Sequence, residues 1–180
     1  VMLVQRQPVA NSMHHTWTRR IFTRRARTFV LLLRVRTRTS NTEANMRTKI
    51  GHLVFSVDSA NQGFYRDLFT FLGWQTLYDG EGMLGVADDT GASIWFGSAT
   101  SAHANDYDAP GLNHLAIATT TQDEVDQAAA YVKGKGIAHL FETPRHRPDF
   151  SADDASTYYQ VMFETPDRIL IEIVYTGPKS

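Results

Sequence analysis

One arrangement of a strand, a helix and three further strands occurs twice along this chain, and such an internal repeat restricts the fold more than any other feature of the sequence. In the first copy Ile50 to Val57 forms a branched, strand-like run. Ser59 then opens a helix, with Gln62 three residues on as its capping-box partner. Phe64, Leu68, Phe71 and Leu72 follow at helical spacing, and Gly73 closes the helix. Short strands are expected at residues 74–78, 83–87 and 92–96, separated by Asp-Gly-Glu-Gly and Asp-Asp-Thr-Gly turns. The second copy begins with a strand at 112–119, followed by a Thr121/Glu124 capping box and a helix carrying Val125, Ala128, Ala129 and Val132. Strands at 138–141, 157–164 and 168–175 complete it. The two modules span about 49–97 and 111–176, with a polar linker between them.

The charge is divided as sharply as the pattern. Residues 1–45 hold nine arginines against a single acid, Glu43, in a chain whose net charge is −1. This basic leader is expected to be disordered and separate from a domain over 46–180. It reads as a transit peptide, as upstream sequence translated from an early start, or as a basic arm. A cytoplasmic location is expected for the domain, or a mitochondrial or plastid one if the leader is a transit peptide. The apolar run at 29–33 is far too short to span a bilayer, so no membrane partner is expected, and a nucleic-acid partner is disfavoured. Cysteine is absent, which excludes disulfides, thiolate metal sites and a cysteine nucleophile. Any metal would have to be held by nitrogen and oxygen.

Strand alternation singles out three residues. In the first strand His52 shares a face with Val54 and Ser56, opposite Leu53, Phe55 and Val57. His114 shares a face with Ala116 and Ala118, opposite Leu115 and Ile117. In the last strand Glu172 lies with Leu170 and Val174, opposite Ile171 and Ile173. The bulky faces must meet the helices, which leaves two imidazoles and one carboxylate beside small residues. A carboxylate between isoleucines is costly unless it is paired or binds a cation. Such a set suits one divalent ion, provided that the repeats close around a common cleft. Taken singly, each histidine reads as a structural or surface residue.

Four segments carry a resemblance to a known family: Ile50-Gly51-His52-Leu53, Phe64-Tyr65-Arg66-Asp67 before Leu72-Gly73-Trp74, Gly111-Leu112-Asn113-His114-Leu115-Ala116, and the closing pair from Tyr158 to Tyr175 around Pro166-Asp167. Through them residues 49–176 resemble the vicinal-oxygen-chelate superfamily of glyoxalases, bleomycin-resistance proteins and extradiol dioxygenases. The resemblance implies an α+β fold in which two βαβββ modules form a curved, cup-shaped mixed sheet with helices outside. It implies one divalent metal (zinc, iron, manganese or nickel) on His52, His114 and Glu172, a small-molecule substrate, and a homodimer. The fourth ligand position aligns with Trp95, a departure that disfavours glyoxalase I activity.

The activity implied is Lewis-acid lyase or isomerase chemistry on a substrate with two neighbouring oxygens. Ring cleavage by an iron(II) dioxygenase and non-catalytic drug binding are the alternatives. Trp95, Tyr158, Arg145 and Arg147 are the candidate substrate-binding residues. No catalytic base is assigned; a metal-bound hydroxide, Tyr158 and the Glu142 loop remain open. His103, His139 and His146 are expected to be solvated, and the stretch from Glu142 to Ser156 is expected to be a long loop.

Overall fold

A computed structural model describes residues 47–179, so the reading of residues 1–45 as a disordered basic leader lies outside the described residues. The first module runs β1 (His52–Val57), α1 (Gln62–Phe71), β2 (Gln75–Gly80), β3 (Met83–Ala87) and β4 (Ser93–Ser98). The second runs β5 (Leu115–Thr119), α2 (Gln122–Gly134), β6 (Arg145–His146), β7 (Ser156–Glu164) and β8 (Leu170–Pro178). Each module is a four-stranded mixed sheet, ordered β1-β4-β3-β2 and β5-β8-β7-β6. In each, the first strand runs parallel to the last, and the remaining neighbours are antiparallel.

The helix-side faces are those that alternation assigns. Val57, Ile94, Phe96, Ile117, Ile171 and Ile173 are buried with Tyr65, Phe69, Val125 and Val132 of the helices. The opposite faces stay open along the first strands, where Val54, Ser56, Ala116 and Ala118 are exposed. Contacts between the modules run along their helical sides. Phe71 of α1 stacks on Tyr131 of α2 with ring centroids 4.0 Å apart, and Lys135 reaches Asp67 at 3.0 Å. The Tyr65 hydroxyl donates to Asp167 at 2.7 Å in the turn between β7 and β8. The β1 and β5 edges are not paired with each other, because the strands form two sheets rather than one.

Three local expectations need correction. The first helix is not opened by a Ser59/Gln62 capping box. Asp58 instead accepts from the Ala60 amide, starting a 3₁₀ turn over Ser59–Asn61 that leads into α1. Asp58 outcompetes Ser59 because its carboxylate reaches the free amides one residue earlier. The Thr121/Glu124 box does form, with both reciprocal bonds in place. Residues 138–141 make only an isolated bridge, His139 to Phe163, and the edge-strand role passes to Arg145–His146 inside the expected loop. The chain turns away at Phe141 and Glu142, which both adopt left-handed backbone (φ 55° and 58°), so no strand can continue through them. Finally, His139 is half-buried, its Nε2 2.9 Å from the Ala129 carbonyl of α2, because the bridge carries it under the helix.

Candidate metal centre on the second module

Parallel pairing of β5 with β8 places Ala116 opposite Glu172, and His114, two residues earlier, reaches the same carboxylate. His114 Nε2 lies 3.0 Å from Glu172 Oε2. Glu172 is only 2% exposed, so its charge is out of water and needs compensation. The other carboxylate oxygen accepts from the Tyr158 hydroxyl at 2.8 Å and from the Gln160 amide. The Gln160 carbonyl in turn accepts from Arg147 Nη1 at 3.2 Å, so a guanidinium charge is relayed to Glu172. Burial, the bond to Glu172 and the carboxylate's charge push the Tyr158 hydroxyl up to about 12. Tyr158 therefore keeps its proton at neutral pH and acts as a donor rather than as a base.

The state of His114 follows from its neighbour. Asn113 Nδ2 donates to the Tyr107 carbonyl at 2.8 Å, which turns Asn113 Oδ1 towards His114 Nδ1, also at 2.8 Å. Nδ1 must then carry a proton, and in the neutral ring Nε2 presents a lone pair to a carboxylate oxygen. Lone pair and carboxylate repel at this distance unless a cation joins them, either a second ring proton or a metal ion. An imidazole whose far N–H is held by an amide oxygen is the usual outer arrangement of a metal-ligating histidine. Two neighbouring ligands on bonds of about 2.1 Å to one ion also stand about 3 Å apart. The donor set thus fits a divalent ion.

The pair forms the floor of a cavity of about 680 Å³, walled by Phe141, Phe150, Met162 and Leu170, with Tyr107, Asp108, Arg147 and Tyr158 at its sides. Of the expected substrate-binding residues, Tyr158 and Arg147 line this cavity. Arg145 does not, and pairs with the exposed Glu142 at 3.0 Å. Trp95 lies in the other module. Its place is nevertheless informative: Trp95 registers with Val54, two residues after His52, just as Glu172 registers with Ala116, two residues after His114. Trp95 thus occupies in the first module the register position that Glu172 occupies in the second. His52 is exposed on β1 and lies outside the cavity, and among the described residues no three His, Asp or Glu side chains converge. One chain brings together His114 and Glu172 and keeps His52 apart. Asn113, Gln160, Phe141 and Phe150 were not singled out from the sequence; an amide directly before a candidate ligand was the available signal for Asn113.

This fold is that of the vicinal-oxygen-chelate superfamily. A candidate glyoxalase from Bacillus halodurans superposes with a TM-score of 0.60 at 22% identity, over 72% of this chain and 96% of that one. The fosfomycin resistance protein FosX of Listeria monocytogenes, solved with manganese(II) and sulfate, superposes with a TM-score of 0.52 at 18% identity, over 72% and 91%. A glyoxalase/dioxygenase from Nostoc punctiforme gives 0.54 at 18% identity, over 73% and 92%. In sequence, an uncharacterised protein of Bacillus subtilis, YqjT, is 39% identical over 64 residues, which are 36% of this chain and 46% of that protein. The match thus spans just under half of that relative. No family model matches the sequence.

Proposed function

We propose that the chain is a divalent-metal-dependent enzyme acting on a small substrate with two neighbouring oxygens, in lyase or isomerase chemistry. The observation that carries this is the pairing of half-exposed His114 with buried Glu172 at the floor of a substrate-sized cavity, with His114 Nδ1 held by Asn113. His114 and Glu172 would hold the ion, and the exposed His52 of a second copy of the chain would complete the set in a homodimer. The unpaired β1 edge and the exposed Ile50 and Val54 beside His52 support that completion. Manganese(II) in the structurally similar FosX supports a divalent ion. A bound ion supplies Lewis-acid polarisation of two substrate oxygens.

The chain's own residues do the rest. The Tyr158 hydroxyl donates to Glu172 at 2.8 Å at the cavity wall, and by turning from the carboxylate it can donate instead to a substrate oxygen on which charge develops. Gln160 and Arg147 keep the carboxylate in place. Leu170 and Met162 exclude water from the pair.

Elemental mass spectrometry of the purified full chain, beside His114→Ala and His52→Ala, tests the site. About one divalent ion per chain is expected, lost in both variants, with turnover on a panel of vicinal diols, hydroxy acids and epoxides following metal content. A wild-type protein that cannot be loaded with manganese, iron, nickel or zinc removes the reading and favours simple ligand binding.

A further inference from the structure

We propose that Phe141 and Phe150 select the body of the substrate, and that this body is a flat apolar group about the size of one aromatic ring, joined to the oxygen-bearing head. The inference rests on the reading of His114 and Glu172 as the floor that takes the head. Three observations carry it.

First, the two rings stand over the same cavity yet are 53% and 57% exposed. Large apolar side chains left in water beside a concave, mostly apolar site mark a surface that a ligand covers.

Second, the Phe141 backbone and the Phe150 ring are held in place. Phe141 and Glu142 are consecutive non-glycine residues in left-handed backbone, a costly conformation that persists only where the surroundings impose it. The surroundings here are bonds to β7 on both sides. Leu140 N donates to Met162 O at 2.8 Å, Met162 N to Thr143 Oγ1 at 2.9 Å, and Arg147 N to Tyr158 O at 2.7 Å. Phe150 is gripped in turn, with the Arg147 guanidinium 4.7 Å from its ring centroid and the Tyr158 ring meeting it edge-on at 5.6 Å.

Third, among the described residues Arg147 is the one arginine or lysine on the wall, and it is engaged by Phe150 and Gln160. A small, wholly polar substrate would leave both rings wet. A ring-bearing one would lie against them, where aromatic contact adds to area burial.

The test uses two hydroxy acids with the same vicinal-oxygen head, mandelate with a phenyl body and lactate with a methyl. Their binding to the manganese-supplied full chain is measured by calorimetry. Mandelate is expected to bind about tenfold or more tightly than lactate, the share expected from burying a ring. Phe150→Ala and Phe141→Asn should bring the two to within about threefold, by weakening mandelate and leaving lactate alone. Asparagine tolerates the left-handed backbone at 141, so the loop survives that change. Equal affinities, no mandelate binding at millimolar concentration, or a preference that survives both substitutions overturns the proposal. So does a change in oligomeric state with the preference intact, which would show that the rings cover a second copy. Glu172→Gln separates this from the reading beneath it. If the phenyl preference persists while neither affinity responds to Glu172→Gln, the chelating floor is wrong and the body selection stands.

Discussion

The two modules share one strand register and differ in what they place on it. At the matching position of the last strand, the first module carries Trp95 and the second Glu172. Opposite Trp95 stands Gly85, and a Cβ there would come within 2.6 Å of the indole, so the ring lies flat on the strand. Opposite Glu172 stands Met162, beside an open cavity. His52 follows Gly51, which offers nothing to orient it, whereas His114 follows Asn113, which does. A repeated backbone therefore supplies two equivalent frames. The side chains at three or four registered positions decide that one of them is filled by an aromatic ring and the other by a histidine–carboxylate pair beside a cavity.

The sharpest way to break this comparison is to remove the orienting amide. Asn113→Ala should weaken metal binding about 10–100-fold, read by competition with a metallochromic dye, while leaving the fold intact. An unchanged affinity would mean that the difference between Gly51 and Asn113 is incidental. Next in size, Gly85→Ala should destabilise the domain by about 1–3 kcal/mol in chemical denaturation, and combining it with Trp95→Leu should recover most of the loss. Failure of the rescue would show that Trp95 is not what requires glycine.

A smaller effect compares the helices. Thr121→Ala should cost about 1 kcal/mol, because Thr121 caps α2, whereas Asn61→Ala should cost a few tenths, because Asn61 makes no side-chain cap on α1. The smallest lies at alkaline pH. Burial and the bond to Asp126 push the Tyr159 hydroxyl up to about 12 from the ordinary 10. Since the folded state holds this proton more tightly, its contribution is fully present below pH 10 and is lost as pH rises through about 12. Tyr159→Phe should flatten the alkaline loss of stability over that window and remove one late-titrating phenol from the ultraviolet spectrum.

Much of the frame was legible in the sequence. Period-two alternation around Ile171 and Ile173 placed Glu172 away from the helices, and the Thr121/Glu124 spacing placed the start of α2, because both depend on neighbours along the chain. The Asp58 cap and the edge strand at Arg145–His146 were not legible. The first turned on which of two adjacent capping residues reached the free amides. The second depended on β7, more than ten residues further on, offering a free edge.

The sequence by itself determined the two modules, their strand faces and the chemical character of His52, His114 and Glu172, since local periodicity and residue type carry that information. Only the tertiary structure decided that His114 and Glu172 meet at 3.0 Å while His52 stays outside, that Gln160 relays Arg147 to the carboxylate, and that Phe141 and Phe150 flank the cavity. Those outcomes depend on β5 pairing with β8 and on a left-handed turn that sends the chain across β7. Contacts between residues more than ten positions apart fix both, and no local pattern records them.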